Sequence, residues 1–431
     1  MYRKPELLAP VGDFEKLQMA VAYGADAVYV GGKQFGLRAN AKNFDDAELE
    51  KAIEYAHAHN VKVYVAVNIF ARNKDLEHME KYLHTLKKIN ADGVLVADLG
   101  AFDIARKIDG LEVHISTQAN VTNYHSVEFY KNLSAQRVVL ARELSLDEIS
   151  EINKKVAPFE TEVFVHGAMC VAYSGRCLLS NYMIGRDANR GDCSQSCRWK
   201  YHLTDAAAEC SVASPCGTKG AWGRIPHLNE AERQGEFLPV YEDERGTYIM
   251  NSKDLCMIQH IPELVASGVS SFKIEGRMKS AYYVAVVTRA YRQAIDDFFA
   301  DAQLYESRKD YYMEELKKSS HRDFYTGFYF GQPLTVDGQT RSHAVYTSTH
   351  DFVGVVMDYD AENQTAIVQQ RNKFSVGDEI EFMKGEFSQV ITAMYDADGA
   401  EITSAPHPQQ IIRVKTVKAV GKFEILRKKC D

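Results

Sequence analysis

The sequence predicts a (β/α)8 TIM-like barrel with a small β-barrel appended at its C-terminal end. Over the first two-thirds of the 431 residues, eight short apolar runs alternate with amphipathic segments, the pattern of parallel strands covered by helices. From about residue 336 the character changes to short strands joined by turn residues. Polar side chains collect at the C-terminal ends of the eight runs, where a closed barrel has its mouth and its chemistry.

Taken in order, residues 6–11 (ELLAPV) form the first strand, and Asp13 is placed to cap a helix over 14–23. Residues 27–32 (AVYVGG) form the second. Asp45 with Glu48 resembles a capping box that opens a helix to about residue 59. The runs 61–68, 93–98, 111–117, 137–142 and 160–166 continue the series, with a second capping box at Ser145 and Glu148. The eighth strand is 270–275 (SSFKIE), followed by a helix over 281–300. Residues 201–247 interrupt the last β/α unit with a polar, irregular insertion carrying Cys210 and Cys216, which reads as a lid or binding loop. The expected division is 1–335 for the barrel and 336–431 for the small domain. Its strands fall at 352–359, 366–371, 378–383, 389–395 and 410–417.

A hydrophobic content of 45% is ample for a core of this size. Net charge is −8, so the whole surface is not a nucleic-acid footprint, and any RNA contact needs a local basic patch. No apolar run approaches the roughly 18 residues of a membrane span. The first ten residues, MYRKPELLAP, lack the pattern of a signal peptide. The expectation is a cytoplasmic protein with no membrane contact, in which clustered cysteines serve metal binding or catalysis rather than disulfides.

Residues 166–199 (HGAMCVAYSGRCLLSNYMIGRDANRGDCSQSCRW) carry Cys170, Cys177, Cys193 and Cys197, four of the eight cysteines, with Cys256 as a further thiol downstream. Thiolates suit iron-sulfur clusters and zinc. The spacing C-x6-C-x15-C-x3-C contains only one short knuckle, so a four-iron cluster assembled from loops, a zinc site and redox thiols all stay open. The radical-SAM pattern fails because Lys200 stands where its third cysteine belongs. Arg176, Arg186, Arg190 and Arg198 lie in the same stretch, and Arg142 and Arg277 at strand ends. Together they suggest bidentate binding of carboxylate or phosphate, although for each alone ordinary surface charge is the better reading. His114, His166 and Glu275 are acid-base candidates at the mouth. The bland alternatives are core histidines and a Glu275–Arg277 ion pair. Asp13, Asn68, Asp98, Gln118 and Glu143 complete the polar set expected there. No HExxH, G-x-S-x-G or phosphate-loop motif occurs.

Five segments, 6–32, 165–201, 246–256 (GTYIMNSKDLC), 272–280 (FKIEGRMKS) and 320–331 (SHRDFYTGFYFG), resemble the signatures of the collagenase-like peptidase family, peptidase U32. The resemblance spans nearly the whole chain. It implies a [4Fe-4S] cluster on Cys170, Cys177, Cys193 and Cys256, with Cys197 as an alternative fourth ligand. The better-understood members of the family hydroxylate without dioxygen, acting on wobble uridine of transfer RNA, on a ribosomal-RNA cytidine or on quinone precursors. Length and C-terminal barrel are most similar to the transfer-RNA group. That implies 5-hydroxyuridine at wobble position 34, prephenate as a small dicarboxylate co-substrate, and a partner protein of the same family. Arg371, Lys373 and Lys384 are then candidates for gripping the anticodon arm. The rivals are a collagenase-type peptidase and a non-catalytic RNA-binding factor with a structural cluster.

Overall fold

The computed structural model describes residues 2–36, 42–170, 172–190, 192–198, 227–229, 237–239, 241–243, 246–248, 252–331 and 346–430. Cys210, Cys216 and most of the insertion expected to act as a lid lie outside the described residues.

Eight parallel strands close into a barrel. They are β1 (Glu6–Pro10), β2 (Ala27–Gly31), β3 (Lys62–Val67), β4 (Gly93–Val96), β5 (Glu112–Ile115), β6 (Arg137–Val139), β7 (Glu160–Ala168) and β9 (Ser271–Ile274). Closure is explicit in the pairing, because β9 bonds β1 on one side (Glu6 opposite Ser271) and β7 on the other (Ser271 opposite Glu162). Several short strands were not anticipated. The short β8 (Asp254–Cys256) runs antiparallel along β7, placing Cys256 opposite His166 outside the ring of eight.

Local chemistry starts the outer helices where expected. Asp13 accepts from the Lys16 amide at the head of α1 (Phe14–Ala22). Asp45 with Glu48 closes a reciprocal capping box on α2 (Asp46–His57), and Ser145 with Glu148 does the same on α6 (Leu146–Val156). Asp98 takes the amides of Gly100 and Ala101 on α4 (Leu99–Ala105). Asp13 and Asp98 are thus committed to capping. Among the described residues, no helix is long and apolar enough to cross a membrane.

The lower half of the barrel interior is charged. Arg137 reaches Glu6 at 2.5 Å, Glu160 at 2.8 Å and Glu162 at 3.1 Å, while Lys273 Nζ donates to Glu162 at 2.7 Å. Tyr64 Oη donates to Glu6 at 2.9 Å. Glu162 is wholly buried, and Arg137 and Lys273 are each 4% exposed. Burial alone would raise the Glu162 carboxyl, but Lys273 and Arg137 hold it down at about 2. Burial lowers Lys273 against the opposing pull of Glu162.

The C-terminal residues form an antiparallel half-barrel of eight strands, led by His350–Asp360, Thr365–Gln370, Ile411–Lys415 and Ile425–Lys429, around a core of its own that includes Val368, Phe382 and Ile412. It docks on α1 and on α9 (Ala281–Ala300). Met19, Tyr23, Ala285 and Val286 bury against Val355, Met383 and Ile425. Tyr23 Oη donates to the Phe423 carbonyl at 2.9 Å and accepts from the Ile425 amide at 3.1 Å. Arg427, 1% exposed, pairs with Glu315 at 2.8 Å on α10 (Ala302–Lys317). Arg371 pairs with Glu15 of α1, so this arginine ties the two units together.

Glu162→Gln leaves two buried cations short of a counter-charge and is expected to cost about 3–5 kcal/mol in urea unfolding at neutral pH. A carboxyl whose folded pKa is depressed stabilises above its unfolded value of 4.5 and loses that contribution as pH falls through about 2. The gap between wild type and variant should therefore shrink over that window. A gap that is absent at pH 7, or unchanged at pH 3, would refute the assignment.

Candidate functional site

Beyond Ala168 the chain leaves β7 and folds over the barrel mouth as a roof, described at residues 170, 172–190 and 192–198. Met169 is buried beneath it. Gly175 (φ +75°) and Gly185 (φ +72°) supply left-handed turns, the second ending α7 (Leu179–Ile184). The roof is stitched to two barrel loops by polar bonds. After β5, Asn120 donates to the Ser174 carbonyl at 2.8 Å and accepts from Arg176 Nε at 2.8 Å. After β3, Arg190 Nη1 donates to the Phe70 carbonyl and to Asp75, both at 2.9 Å. Within the roof, Arg186 pairs with Asp192 at 2.5 Å and Asn189 donates to the Cys177 carbonyl at 3.2 Å.

Between roof and barrel lies a cavity of about 120 Å³. Cys170, Cys177, Cys193 and Cys197 line it from the roof, and Tyr29, Asn68, Ser116, Gln118, Phe164, Arg142, Lys273, Glu275 and Arg277 from the barrel. Cations and rings alternate across its floor. Lys273 Nζ lies 4.6 Å from the Tyr29 ring centroid and 5.5 Å from that of Phe164, whose ring carries the Arg142 guanidinium at 3.8 Å. Arg142 in turn donates to Glu275 at 2.9 Å and to the Ala168 carbonyl at 3.0 Å. Glu275 therefore pairs with Arg142. The Arg277 guanidinium fits against Gly31, where a Cβ would come within 2.4 Å of it.

The cavity brings together Glu275, Arg142, Arg277 and four of the candidate thiols, and leaves other candidates outside. His114 sits one layer deeper, 1% exposed, with its ring 4.5 Å from Tyr64 and Nε2 3.4 Å from Glu112. Burial lowers its pKa. His166 corrects the mouth placement more sharply. Lys273 pairs with Phe164 but Ile274 pairs with His166, so a bulge skips Val165 and turns the imidazole outward. It packs on Tyr283, Tyr291 and Phe324, where burial, with Lys279 and His321 nearby, lowers it to about 3 and keeps it neutral. Arg186 and Arg190 are occupied by carboxylates of the roof and of α3 (Asn73–Lys88), and Arg176 lies over the Phe70 ring at 5.3 Å on the outer rim. The Arg198 side chain is outside the described residues.

The thiols divide likewise. Cys256 lies with His166 behind β7, 4% exposed, with Tyr291 Oη 4.0 Å from its sulfur. Burial pushes it up to about 12. Cys170, Cys177, Cys193 and Cys197 share the cavity wall and form no disulfides. Their number and chemistry fit a soft metal or an iron-sulfur cluster, although among the described residues no three ligating side chains yet converge on one point. The resemblance-implied set is thus split by the wall of the barrel, and Cys197 is the thiol that shares the cavity with the other three. Lys273 was missed in the sequence. Its signal was a lysine at the centre of an otherwise apolar strand, SSFKIE.

A closed parallel barrel roofed by a thiol-bearing segment, with an antiparallel unit docked on its side, defines a TIM-barrel protein with a soft-donor site. The chain belongs to peptidase family U32: residues 12–338 match the family and residues 348–427 match its C-terminal domain. It is 43% identical over 430 residues to tRNA hydroxylation protein P1 of Bacillus subtilis (strain 168), spanning 99% of this chain and 95% of that one. Identity to tRNA hydroxylation protein P of Escherichia coli (strain K12) is 38% over 421 residues, spanning 94% and 92%. Among solved structures, the C-terminal domain of a U32 peptidase from Geobacillus thermoleovorans is 43% identical, covering 18% of this chain and 99% of that one, with a TM-score of 0.18.

The Arg190 bonds imply that Arg190→Ala loosens the roof without unfolding the barrel. Partly exposed, they are worth about 1 kcal/mol after solvent screening. Limited proteolysis within residues 170–198 should speed up roughly five-fold, a local-opening effect, with the urea midpoint nearly unchanged. An unaltered cleavage rate would show that other contacts hold the roof.

Proposed function

We propose that the chain is an RNA-modifying enzyme that hydroxylates transfer RNA, forming 5-hydroxyuridine at wobble position 34 without dioxygen. The observation that carries this reading is a four-thiol wall facing a cavity of about 120 Å³, in a chain similar over nearly its whole length to proteins named for tRNA hydroxylation. A wobble base, already single-stranded, enters such a space at little unstacking cost. A protein acting on transfer RNA would work in the cytoplasm.

A [4Fe-4S] cluster held by Cys170, Cys177 and Cys193, with Cys197 or Cys256 in the fourth place, would supply redox chemistry beside that base. The rest is done by side chains. Arg142, oriented by Glu275 and the Ala168 carbonyl, and Arg277, seated against Gly31, present cationic groups for the carboxylates of a prephenate-like co-substrate. Lys273 adds a fixed positive charge at the floor. With His114 and His166 outside the cavity, proton transfer within it falls to Glu275.

Deletion of the protein is expected to remove 5-hydroxyuridine and its derivatives from transfer RNA by nucleoside mass spectrometry, as should blocking prephenate synthesis. Wild type should restore them and Cys177→Ala should not. Anaerobically purified protein should carry about four irons per chain. Alanine at Cys170, Cys177 or Cys193 should lose the iron, and only one of Cys197→Ala and Cys256→Ala should do so. Unchanged nucleosides with gelatin cleavage by iron-free protein would favour the peptidase reading.

A further inference from the structure

We propose that a groove beside the cavity, lined by Phe70, Leu99, Tyr130 and Arg176, holds the nucleotide adjoining the one in the cavity. This rests on the transfer-RNA reading and deepens it, because it gives the RNA a second place at the barrel mouth. The two spaces are neighbours along two segments at once. After β5, Ser116, Thr117 and Gln118 line the cavity and Ala119 lines the groove. In the roof, Tyr173, Ser174 and Gly175 line the cavity and Arg176 lines the groove. Asn120 closes the seam between these segments, its Nδ2 donating to the Ser174 carbonyl at 2.8 Å. A polymer with one unit in the cavity thus has the groove within reach of the next.

The groove has a volume of about 370 Å³ and is reachable from solvent. Leu99, at the head of α4, is 60% exposed, and Arg176 is exposed as well. Phe70, half-buried after β3, and Tyr130 of α5 (Tyr124–Asn132), set edge-on to Phe102 at 5.4 Å, supply aromatic surface. Arg186 and Arg190 are neutralised by Asp192 and Asp75, but among the described residues no carboxylate pairs with Arg176. Its orientation is nevertheless fixed. Nε donates to Asn120 Oδ1 at 2.8 Å, and the guanidinium stands 5.3 Å from the Phe70 ring centroid. That bond uses Nε, so the two terminal nitrogens stay available to an acceptor. Asp98 also lines the groove, with Oδ1 taken by the amides of Gly100 and Ala101, and its charge keeps an anion to the roof side, beside Arg176. A nucleotide matches this set. Its base offers a flat face to Phe70, Tyr130 and Leu99, a contact tolerant of sequence, while its phosphate offers two oxygens to the guanidinium edge.

The test uses full-length, cluster-containing protein and anticodon stem-loops with uridine at position 34, either intact or lacking the base at position 33 or at position 35. Binding is measured by fluorescence anisotropy, and turnover by nucleoside mass spectrometry. Phe70→Ala should weaken binding of the intact loop about ten-fold, the scale of one lost base stack. Loss of one of the two flanking bases should weaken wild type by a similar factor and should not add to Phe70→Ala, since both remove the same contact. Leu99→Glu, at an exposed side chain, places a negative charge in the groove. It should also weaken the intact loop, by a factor that shrinks as salt is raised, with iron content and thermal midpoint as in wild type. A residue that only supported the fold would weaken all three loops alike. If wild type modifies the intact loop and both base losses add fully to Phe70→Ala, or Leu99→Glu binds as wild type does, the groove assignment is overturned while the transfer-RNA reading stands. If wild type modifies no stem-loop and no cellular transfer RNA, both fall together.

Discussion

The fully buried Glu162 between Arg137 and Lys273 is the constraint on which the rest of the barrel depends. One carboxylate on β7 is neutralised from β6 on one side and from β9 on the other, and Arg137 reaches across to Glu6 on β1. The strands that complete the ring are therefore joined by charge as well as by backbone hydrogen bonds. A buried pair of this kind adds little over a well-packed apolar replacement, but it is intolerant of displacement, because each charge depends on its partners being in place. The same Lys273 whose ammonium is fixed from below presents itself to Tyr29 and Phe164 above, and Phe164 seats Arg142. The position of the cavity floor follows from a charge network one layer beneath it.

Above that floor the construction changes. The barrel is held by an apolar core and buried ion pairs, whereas the roof carrying the four thiols is attached to the loops after β3 and β5 by side-chain bonds and by the Phe70 amide donating to the Asn189 carbonyl. The part that bears soft donors is held by fewer buried contacts than the scaffold beneath it. Such a division suits a site whose donors must close around a bound group while the polar floor keeps its orientation.

The architecture was legible in the sequence because its signals are local. Continuous apolar runs mark strands buried on both faces, and the caps at Asp13, Asp45 and Ser145 need only residues three positions apart. Membership of the U32 family was legible for a similar reason, in contiguous motifs. What escaped was set by tertiary geometry. His166 stands at a strand end with the parity of an inward residue, and a single bulge beyond Phe164 reverses it. Arg186 and Arg190 look like an anion site in a linear reading, yet each meets a carboxylate supplied by the fold, Asp192 and Asp75. Cys256 belongs with the other thiols by family motif, but the unanticipated strand β8 carries it behind the barrel wall. Lys273 was hidden in an apolar strand because its partner, Glu162, lies 111 residues away.

The docking of the half-barrel gives the molecule a fixed handle. Tyr23, Met19 and the first half of α9 turn an apolar stripe outward from the barrel, and Val355, Met383 and Ile425 cover it, with Arg427 and Arg371 locking the edges to Glu315 and Glu15. Hydrophobic contact flanked by buried charge resists both sliding and tilting. These contacts oppose a swing of the half-barrel. Any long substrate that touched it and also entered the mouth would be measured against a rigid span, accepted or refused by its own dimensions. A barrel severed from this partner would keep its ring of strands and bare a greasy flank to water, so the appended unit also acts as the barrel's coat.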